Sequence, residues 1–522
     1  MGAAMLCIVK RKCDSNMEKS YADFMNEITS DEIYYGLLAH GLFADKLPPL
    51  FTSEAFFDYS KTLTKPFDDK PRQYVFYENM RNINVPRPLG IPNPMAYQLL
   101  CKCISDNWEK IQSHFTQHTS NQDHTVSRIH LRRLFQKKHL FEMNYDNWRV
   151  DGTPEPGLLI GMRFMVSADI STCFPSIYTH SLPWALVSKE IAKSTRATSE
   201  WFNQLDHYTQ NIKHGETHGL IIGPHVSNLL SEIVLVMVDE ELCTKGWKYT
   251  RHVDDYRCFV HSYNAAQKFL LDLNTSLRKY GLSLNHKKTK IDELPKGAVA
   301  QWTRKLNASH LLVRGQKADF IAVRAYLDLA IELMSLNKDN SAILKYAIKS
   351  LASHDMTPNA KSYSVKTIFH LSIIYPYLVS ILDEYVFSPF AVEVQEIALF
   401  SNSLYKESLV CQNYEATSFS VFFSIKYGFQ LKGFTVQDAI DSGDCVFSLL
   451  AFIYFFRNNE TGSIRMLKKY AREIMQDYGK SDADFNRYWL FIYEVLPISD
   501  QKGDWKAMKK EGISFIRSEY LP

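Results

Sequence analysis

The sequence predicts an α+β fold: a helical N-terminal extension, a mixed region of short strands and helices, and an all-α C-terminal half. Three observations carry this reading. Between Arg163 and Ile291, short apolar runs of strand length alternate with helical stretches. Beyond about residue 310 the strand signals thin out and helical periodicity takes over. At 522 residues the chain is also too long for one ordinary core. The expected domains are residues 1–65, 66–305 and 306–522.

Composition narrows the class. Apolar residues make up 46% and charged residues 22%, the profile of a folded chain rather than a disordered one. The 29 tyrosines and 32 phenylalanines suit dense helical packing or base-stacking surfaces. A net charge of +3 is too small to establish nucleic-acid binding by itself, since distribution matters more than the sum. Nine scattered cysteines without a Cys-x-x-Cys pair argue against a disulfide scaffold or zinc knuckle, and predict reduced, mostly buried thiols in a cytoplasmic protein. The apolar run Ala3 to Val9 precedes Lys10, Arg11 and Lys12, the reverse of a signal peptide. Val446 to Phe456 is too short to span a bilayer, so no membrane role is expected.

The elements follow in order. Residues 17–63 read as helices around a loop at 41–51, where Pro48 and Pro49 stop helical structure. Gln73 to Phe76 is a strand candidate. Pro86, Pro88, Pro92 and Pro94 then force loop or edge strand. A helix is expected from Ala96 to about His114, and an exposed polar loop from Thr116 to Thr125. Met162 to Ile170 reads as a strand entering a turn, Ser227 to Leu242 as a long apolar helix, and Thr250 to His261 as strand, turn, strand. Ala265 to Tyr280 is an amphipathic helix, ended by Gly281 in the left-handed stop position. The C-terminal helices are expected over Ala318–Leu336, Asn340–Ser353, Ser364–Val386, Phe390–Leu404, Val436–Phe456, Gly462–Gln476 and Asp484–Val495. No fixed period links them, and an irregular, HEAT-like stack of antiparallel helix pairs is the simplest arrangement.

Two carboxylate clusters lie at strand ends. Phe164-Met-Val-Ser-Ala-Asp169-Ile170 is the first; Arg251-His252-Val253-Asp254-Asp255-Tyr256, inside the hairpin signal, is the second. Taken singly, each also reads as a helix cap or a hairpin turn. Adjacent aspartates in a turn repel each other, however, and divalent cations remove the repulsion. A third carboxylate from a neighbouring strand lets two Mg²⁺ ions be held by few protein ligands plus substrate phosphates. Such a pair activates an attacking hydroxyl and stabilises departing pyrophosphate.

Together with other segments, these clusters resemble reverse transcriptases, a right-hand polymerase fold with fingers and palm, and specifically the bacterial defence-associated (abortive-infection, Abi-type) group. Asp169 to Ile177 is similar to the first palm motif, and Gly219-Leu-Ile-Ile-Gly223-Pro224-His-Val-Ser227-Asn228 to the second, which lies against template and incoming nucleotide. Val253-Asp254-Asp255 is similar to the third, and Gly281-Leu-Ser-Leu-Asn285-His-Lys-Lys288-Thr289-Lys-Ile to the fourth. The resemblance implies Asp169, Asp254 and Asp255 as catalytic and metal-binding, with Ile170 as a further metal and nucleotide contact. It implies Mg²⁺ as the ion, with Mn²⁺ as the alternative. Lys288 is implied to assist pyrophosphate departure, and also reads as a solvated charge beside Lys287 and Lys290. Phe174 is implied to crowd a ribose 2′-hydroxyl and select deoxynucleotides, with core packing as its other reading. Arg87, Gly223, Pro224 and Ser227 complete the implied nucleotide contacts, and Arg72 and Arg81 are further candidates for phosphate. One departure is His252, where the family has Tyr or Phe two residues before the paired aspartates, a position near the primer terminus.

Tyr35-Gly-Leu-Leu-Ala-His-Gly-Leu-Phe43, Lys46 to Glu54, and Tyr178-Thr-His180-Ser-Leu-Pro183-Trp184-Ala resemble segments of the same defence group. The basic stretch Arg128 to His139, with Phe135, suits a phosphate backbone and a stacked base, or a snorkelling surface helix. The resemblance implies antiphage defence, DNA extended from dNTPs off a protein hydroxyl with or without a copied template, and a homo-oligomer. Tyr34 and Tyr35 are priming candidates only by their proximity to the matched segment, and read more readily as helix-core residues. Two other readings stand beside this one: a retron-like enzyme copying a dedicated non-coding RNA, and a helical scaffold with a relic palm.

Overall fold

The computed structural model describes residues 20–82, 85–127, 130–131, 141–142, 153–309, 317–337, 340–477 and 487–521. Its strands are β1 (Val75–Asn82), β2 (Val85–Ile91), β3 (His130–Leu131), β4 (Phe141–Glu142), β5 (Phe164–Asp169), β6 (Tyr249–His252), β7 (Asp255–Val260) and β8 (Lys290–Glu293). The chain divides into two compact units. One is drawn from residues 1–33, 107–173 and 231–294, the other from 34–106, 174–230 and 295–522.

The first unit is built on an antiparallel sheet of order β6-β7-β5-β8. The Tyr263–Lys279 helix, capped by Ser262, buries Ala266, Phe269, Leu273, Ser276 and Leu277, a stripe at helical spacing. Its chain reverses at Gly281, whose φ of +76° is the left-handed value expected there. The 124–127 segment shields the open edge of β6: the Arg251 N–H donates to the Val126 carbonyl at 2.8 Å, and His124 Nε2 to the Tyr249 carbonyl at 2.8 Å. Trp108 and His114, on the Trp108–Thr119 helix, are buried with their ring N–H groups on the Ile28 and Ile233 carbonyls. Burial lowers the His114 pKa to about 4, so it is a neutral core histidine.

The expected helix from Ala96 to His114 is two helices, Pro94–Asp106 and Trp108–Thr119, broken at Asn107. The expected polar loop accordingly starts at Ser120. The strand expected at Gln73 begins two residues later and continues to Asn82, pairing with the proline-rich β2.

The second unit holds the β1–β2 hairpin and the helical region that follows the sheet. Tyr97 donates its hydroxyl to the Gly41 carbonyl at 2.8 Å, and Phe43, Phe51, Phe56 and Phe515 meet ring to ring. The C-terminal core is aromatic, with Phe387 against Phe369, Phe400, Phe423 and Tyr427. The expected Ser364–Val386 helix begins earlier, at Pro358, and breaks at Pro376; the expected Val436–Phe456 helix is split by Gly443. Among the helices with no counterpart in the sequence reading, the longest is Tyr414–Tyr427. It is buried almost all round and has no polar stripe, and four of its residues are Ser or Thr, which favour caps over helix interiors. Thr417 and Ser420 bond back to the Asn413 and Ala416 carbonyls, which is how they are accommodated. The apolar run from Val446 lies within the buried Cys445–Arg457 helix. Among the described residues no helix is long and apolar enough to cross a membrane.

Candidate active site

The sheet register makes the site. Asp169 ends β5 and Asp255 begins β7, and the two are paired across the strands. Val253 and Asp254 form the turn between β6 and β7, so one hairpin end presents two carboxylates beside the third. One ligand oxygen from each of Asp169, Asp254 and Asp255 lies within 4.8 Å of the others.

The fourth motif straps this edge. The Asn285 N–H donates to the Asp169 carbonyl at 2.7 Å, the Ser171 N–H to the Ser283 carbonyl at 2.9 Å, and Ile170 bridges Leu284. The same segment satisfies the buried Asp169 side chain. Asn285 Nδ2 donates to Oδ1 at 2.9 Å, and Lys288 Nζ to Oδ2 at 2.7 Å. Lys288 thus meets the cluster through Asp169, its side chain still 54% exposed. Asn285, by contrast, carried no role in the sequence reading; an amide in a polar run offers no signal that it will meet a buried carboxylate.

The electrostatics are those of crowded like charges. Removal from solvent, then the charge of Asp254, then the Asp169 carboxyl push the Asp255 pKa up to about 6, and Lys288 opposes the shift. Of these carboxylates, Asp169 is paired with the Lys288 ammonium. An all-oxygen, anionic donor set with few protein ligands fits hard divalent cations that retain water and substrate oxygens. Ile170 is buried and donates its N–H to the Asp254 carbonyl at 3.0 Å, tying β5 to the turn.

The other predicted residues lie in the second unit. Phe174 is half-buried, and its carbonyl accepts the Leu220 N–H at 2.8 Å; the Gly219 N–H reaches the Ile177 carbonyl at 2.9 Å. The end of the first motif and the start of the second therefore run together. At Gly219, with φ +84°, a Cβ would stand 2.7 Å from the Pro175 carbonyl oxygen, so only glycine fits. Gly223 and Pro224 form the turn before the Val226–Thr244 helix, and β2 meets that turn where the Gly90 N–H donates to the Ile222 carbonyl at 2.9 Å. Ser227 is buried, with its hydroxyl on the Ile221 carbonyl at 2.6 Å, closing the turn. Arg87 is half-buried on β2 opposite Asn79.

Arg81 is exposed on β1, and Arg72 is paired with Asp68. In the segment after the first motif, His180 is paired with buried Asp206 and packs against Tyr178. Tyr34 is buried and its hydroxyl is engaged with Ser60 and Gln98, whereas Tyr35 is 36% exposed. Of the basic stretch 128–139 only His130 and Leu131 are described; Arg128, Arg132, Arg133, Phe135, Lys137 and Lys138 lie outside the described residues, as does the 3–12 segment. His252 is half-buried and in register with Asp255.

Residues 86–306 match the family model of the reverse transcriptase (RNA-dependent DNA polymerase). No curated protein matches the chain. Among solved structures, apo telomerase from Candida tropicalis, truncated from its C-terminal domain, is similar at 16% identity and a TM-score of 0.28. The match covers 47% of this chain and 55% of that one, so the chain spans about half the length of that structure. The family match makes residues 86–306 a reverse-transcriptase domain, a family of nucleotidyltransferases of the RNA-directed DNA polymerase type, and a helical region follows it.

Proposed function

We propose that Asp169, Asp254 and Asp255 hold two Mg²⁺ ions, with Mn²⁺ as the alternative and the Ile170 backbone as a further ligand, and that the chain adds deoxynucleotides to a DNA end. The observation that carries this is the convergence of the three carboxylates within 4.8 Å on one sheet edge. Bound there, the ions would activate the attacking hydroxyl and neutralise charge on the triphosphate. The chain's own groups do the rest. Asn285 and Lys288 each hold one oxygen of the Asp169 carboxylate, restraining its rotamer. Lys288, half exposed and bonded to Asp169, is the candidate to assist the departure of pyrophosphate. The motif resemblance makes Phe174 the candidate for selecting against a ribose 2′-hydroxyl, and Arg87, Gly223, Pro224 and Ser227 candidate nucleotide contacts.

The finer reading is a defence-associated reverse transcriptase, protein-primed and acting as a homo-oligomer, that restricts phage. Its support is the sequence of the Tyr35–Phe43, Lys46–Glu54 and Tyr178–Ala185 segments together with the helical C-terminal half. With the Tyr34 hydroxyl occupied in the core, Tyr35 is the better placed of the two candidate primers.

The test is incubation of the purified chain with labelled dNTPs and Mg²⁺ or Mn²⁺, with and without an added primer and template. Asp254→Asn combined with Asp255→Asn should lower incorporation by on the order of 10³-fold or more, since several kcal/mol of charge stabilisation is removed and each ~1.4 kcal/mol is tenfold. Label that stays on the protein through denaturation, without added primer, supports protein priming. Incorporation by the double variant at the wild-type rate removes the carboxylate reading.

A further inference from the structure

Beside the carboxylate cluster, in the same unit, three more charged side chains are shut away from water. Arg251 is 0% exposed, and Glu232 and Asp239 are 4% and 0% exposed. Arg251 lies on β6, two residues before the turn. Its five N–H donors are all used. Nε donates to Asp239, at 2.9 Å to Oδ2 and 3.1 Å to Oδ1, and Nη2 to Asp239 at 2.5 Å and Glu232 at 2.9 Å. Nη1 donates to Glu232 at 3.0 Å and, with its remaining hydrogen, to the carbonyl of Val253 at 3.0 Å. Tyr249 donates its hydroxyl to Asp239 at 2.9 Å, completing the network.

Val253 is the unusual residue of the hairpin. Its φ is +57°, the left-handed region, where a Cβ crowds the following carbonyl and a β-branched side chain is least at ease. Such a conformation persists only where the surroundings fix it. Two contacts do so: the Arg251 guanidinium on the Val253 carbonyl, and the Ile170 N–H on the Asp254 carbonyl. Asp254 and Asp255 follow immediately, so this dihedral helps set the course of the backbone that carries both carboxylates. A buried Arg–Glu–Asp cluster is weak as a source of stability, because desolvation offsets most of the attraction; a planar fork that cannot rotate is well suited to geometry.

We propose that Arg251 is a positioning residue for the polymerase site. Glu232 and Asp239 clamp its guanidinium in one plane, and its remaining N–H holds the left-handed turn at Val253 that aims Asp254 and Asp255 at Asp169. The proposal rests on the reading of those three aspartates as a metal site, while the turn itself can be probed without metal.

The experiment compares full-length wild type, Arg251→Lys, Val253→Gly and the combination of the two. Lysine keeps the positive charge and loses the fork. Three readouts are taken: Tm, hydrogen exchange over residues 250–257 without metal, and Mn²⁺ affinity from the paramagnetic signal of free ion. In folded Arg251→Lys, exchange at the turn should rise while the Tyr263–Lys279 helix stays protected, and Mn²⁺ affinity should fall about 10–100-fold, as for other partners that orient metal ligands. Glycine at 253 adopts the left-handed conformation freely, so adding Val253→Gly should restore part of the Mn²⁺ affinity without restoring Tm. A merely structural arginine would lower Tm and leave metal affinity of the folded fraction unchanged. Wild-type exchange at the turn in Arg251→Lys, or no recovery with glycine, overturns the proposal. If Arg251→Lys does not fold, Glu232→Gln, which keeps size and weakens the clamp, is judged by the exchange and affinity changes set for Arg251→Lys. Wild-type protein that binds no Mn²⁺ overturns the metal reading instead, and the metal-free exchange data then decide Arg251 alone.

Discussion

The sheet of the first unit and the helical region of the second bury polar groups in opposite ways. Around the sheet, Asp169, Glu232, Asp239 and Arg251 are charged, buried, and satisfied by partners remote in sequence, such as Lys288 for Asp169. In the helical region the buried polar residues are mostly serine and threonine, and Ser364, Ser372, Thr417 and Ser420 each turn back to the carbonyl four residues earlier. A hydroxyl satisfied by its own helix costs little and fixes nothing beyond that turn. A charge satisfied from another strand fixes the spacing of both elements. Long-range charge therefore gathers where the geometry of a site must be held, and local hydroxyls fill a core that only needs to pack.

Glu415 is the test case within the helical region, a buried carboxylate that accepts from the Met80 N–H at 2.6 Å and from the Asn79 amide. It fastens the β1–β2 hairpin to the Tyr414–Tyr427 helix and so behaves like the residues of the sheet.

The contrast can be strained from the packing side first. Phe387→Ala removes a ring that meets four others, and should cost about 3–5 kcal/mol in chemical denaturation. A loss below about 1 kcal/mol would mean the helical core is not the packed element described here.

A smaller effect is expected from pH. Burial raises the Glu415 pKa from 4.5 to about 7. Because the folded value lies above the unfolded one, the contribution of Glu415 to stability is fully present below about pH 4.5. It is lost as pH rises to 7, at most about 3 kcal/mol over that window. Asp444, raised by burial to about 6, adds a slope of the same sign. Denaturation from pH 4.5 to 8 should therefore show a flatter profile for Glu415→Gln than for wild type, with a residual slope from Asp444. Parallel profiles would place Glu415 with the locally satisfied groups.

The smallest effect belongs to the hydroxyls. Ser420→Ala deletes a bond made only within its own helix and raises helix propensity, so Tm should shift by less than the equivalent of about 1 kcal/mol. A large loss would show that these hydroxyls also specify packing.

Much of this layout was legible in the sequence, for identifiable reasons. The ends of β5 and the β6–β7 hairpin, and the stop at Gly281, follow from strand-length apolar runs and turn chemistry, which act over a few residues. The Tyr414–Tyr427 helix was not legible, because a segment buried on all sides has no polar face to mark its period.

By itself the sequence determined which carboxylates stand at strand ends and the order in which the motifs occur, since both are written in local residue patterns. Tertiary structure alone decided that Asp169 pairs with Asp255, that Asn285 and Lys288 close on Asp169, and that Arg251 spends its last donor on Val253. Those contacts depend on strand register and on rotamers held by distant neighbours, and a one-residue slip in the sheet would turn each of these side chains to the opposite face.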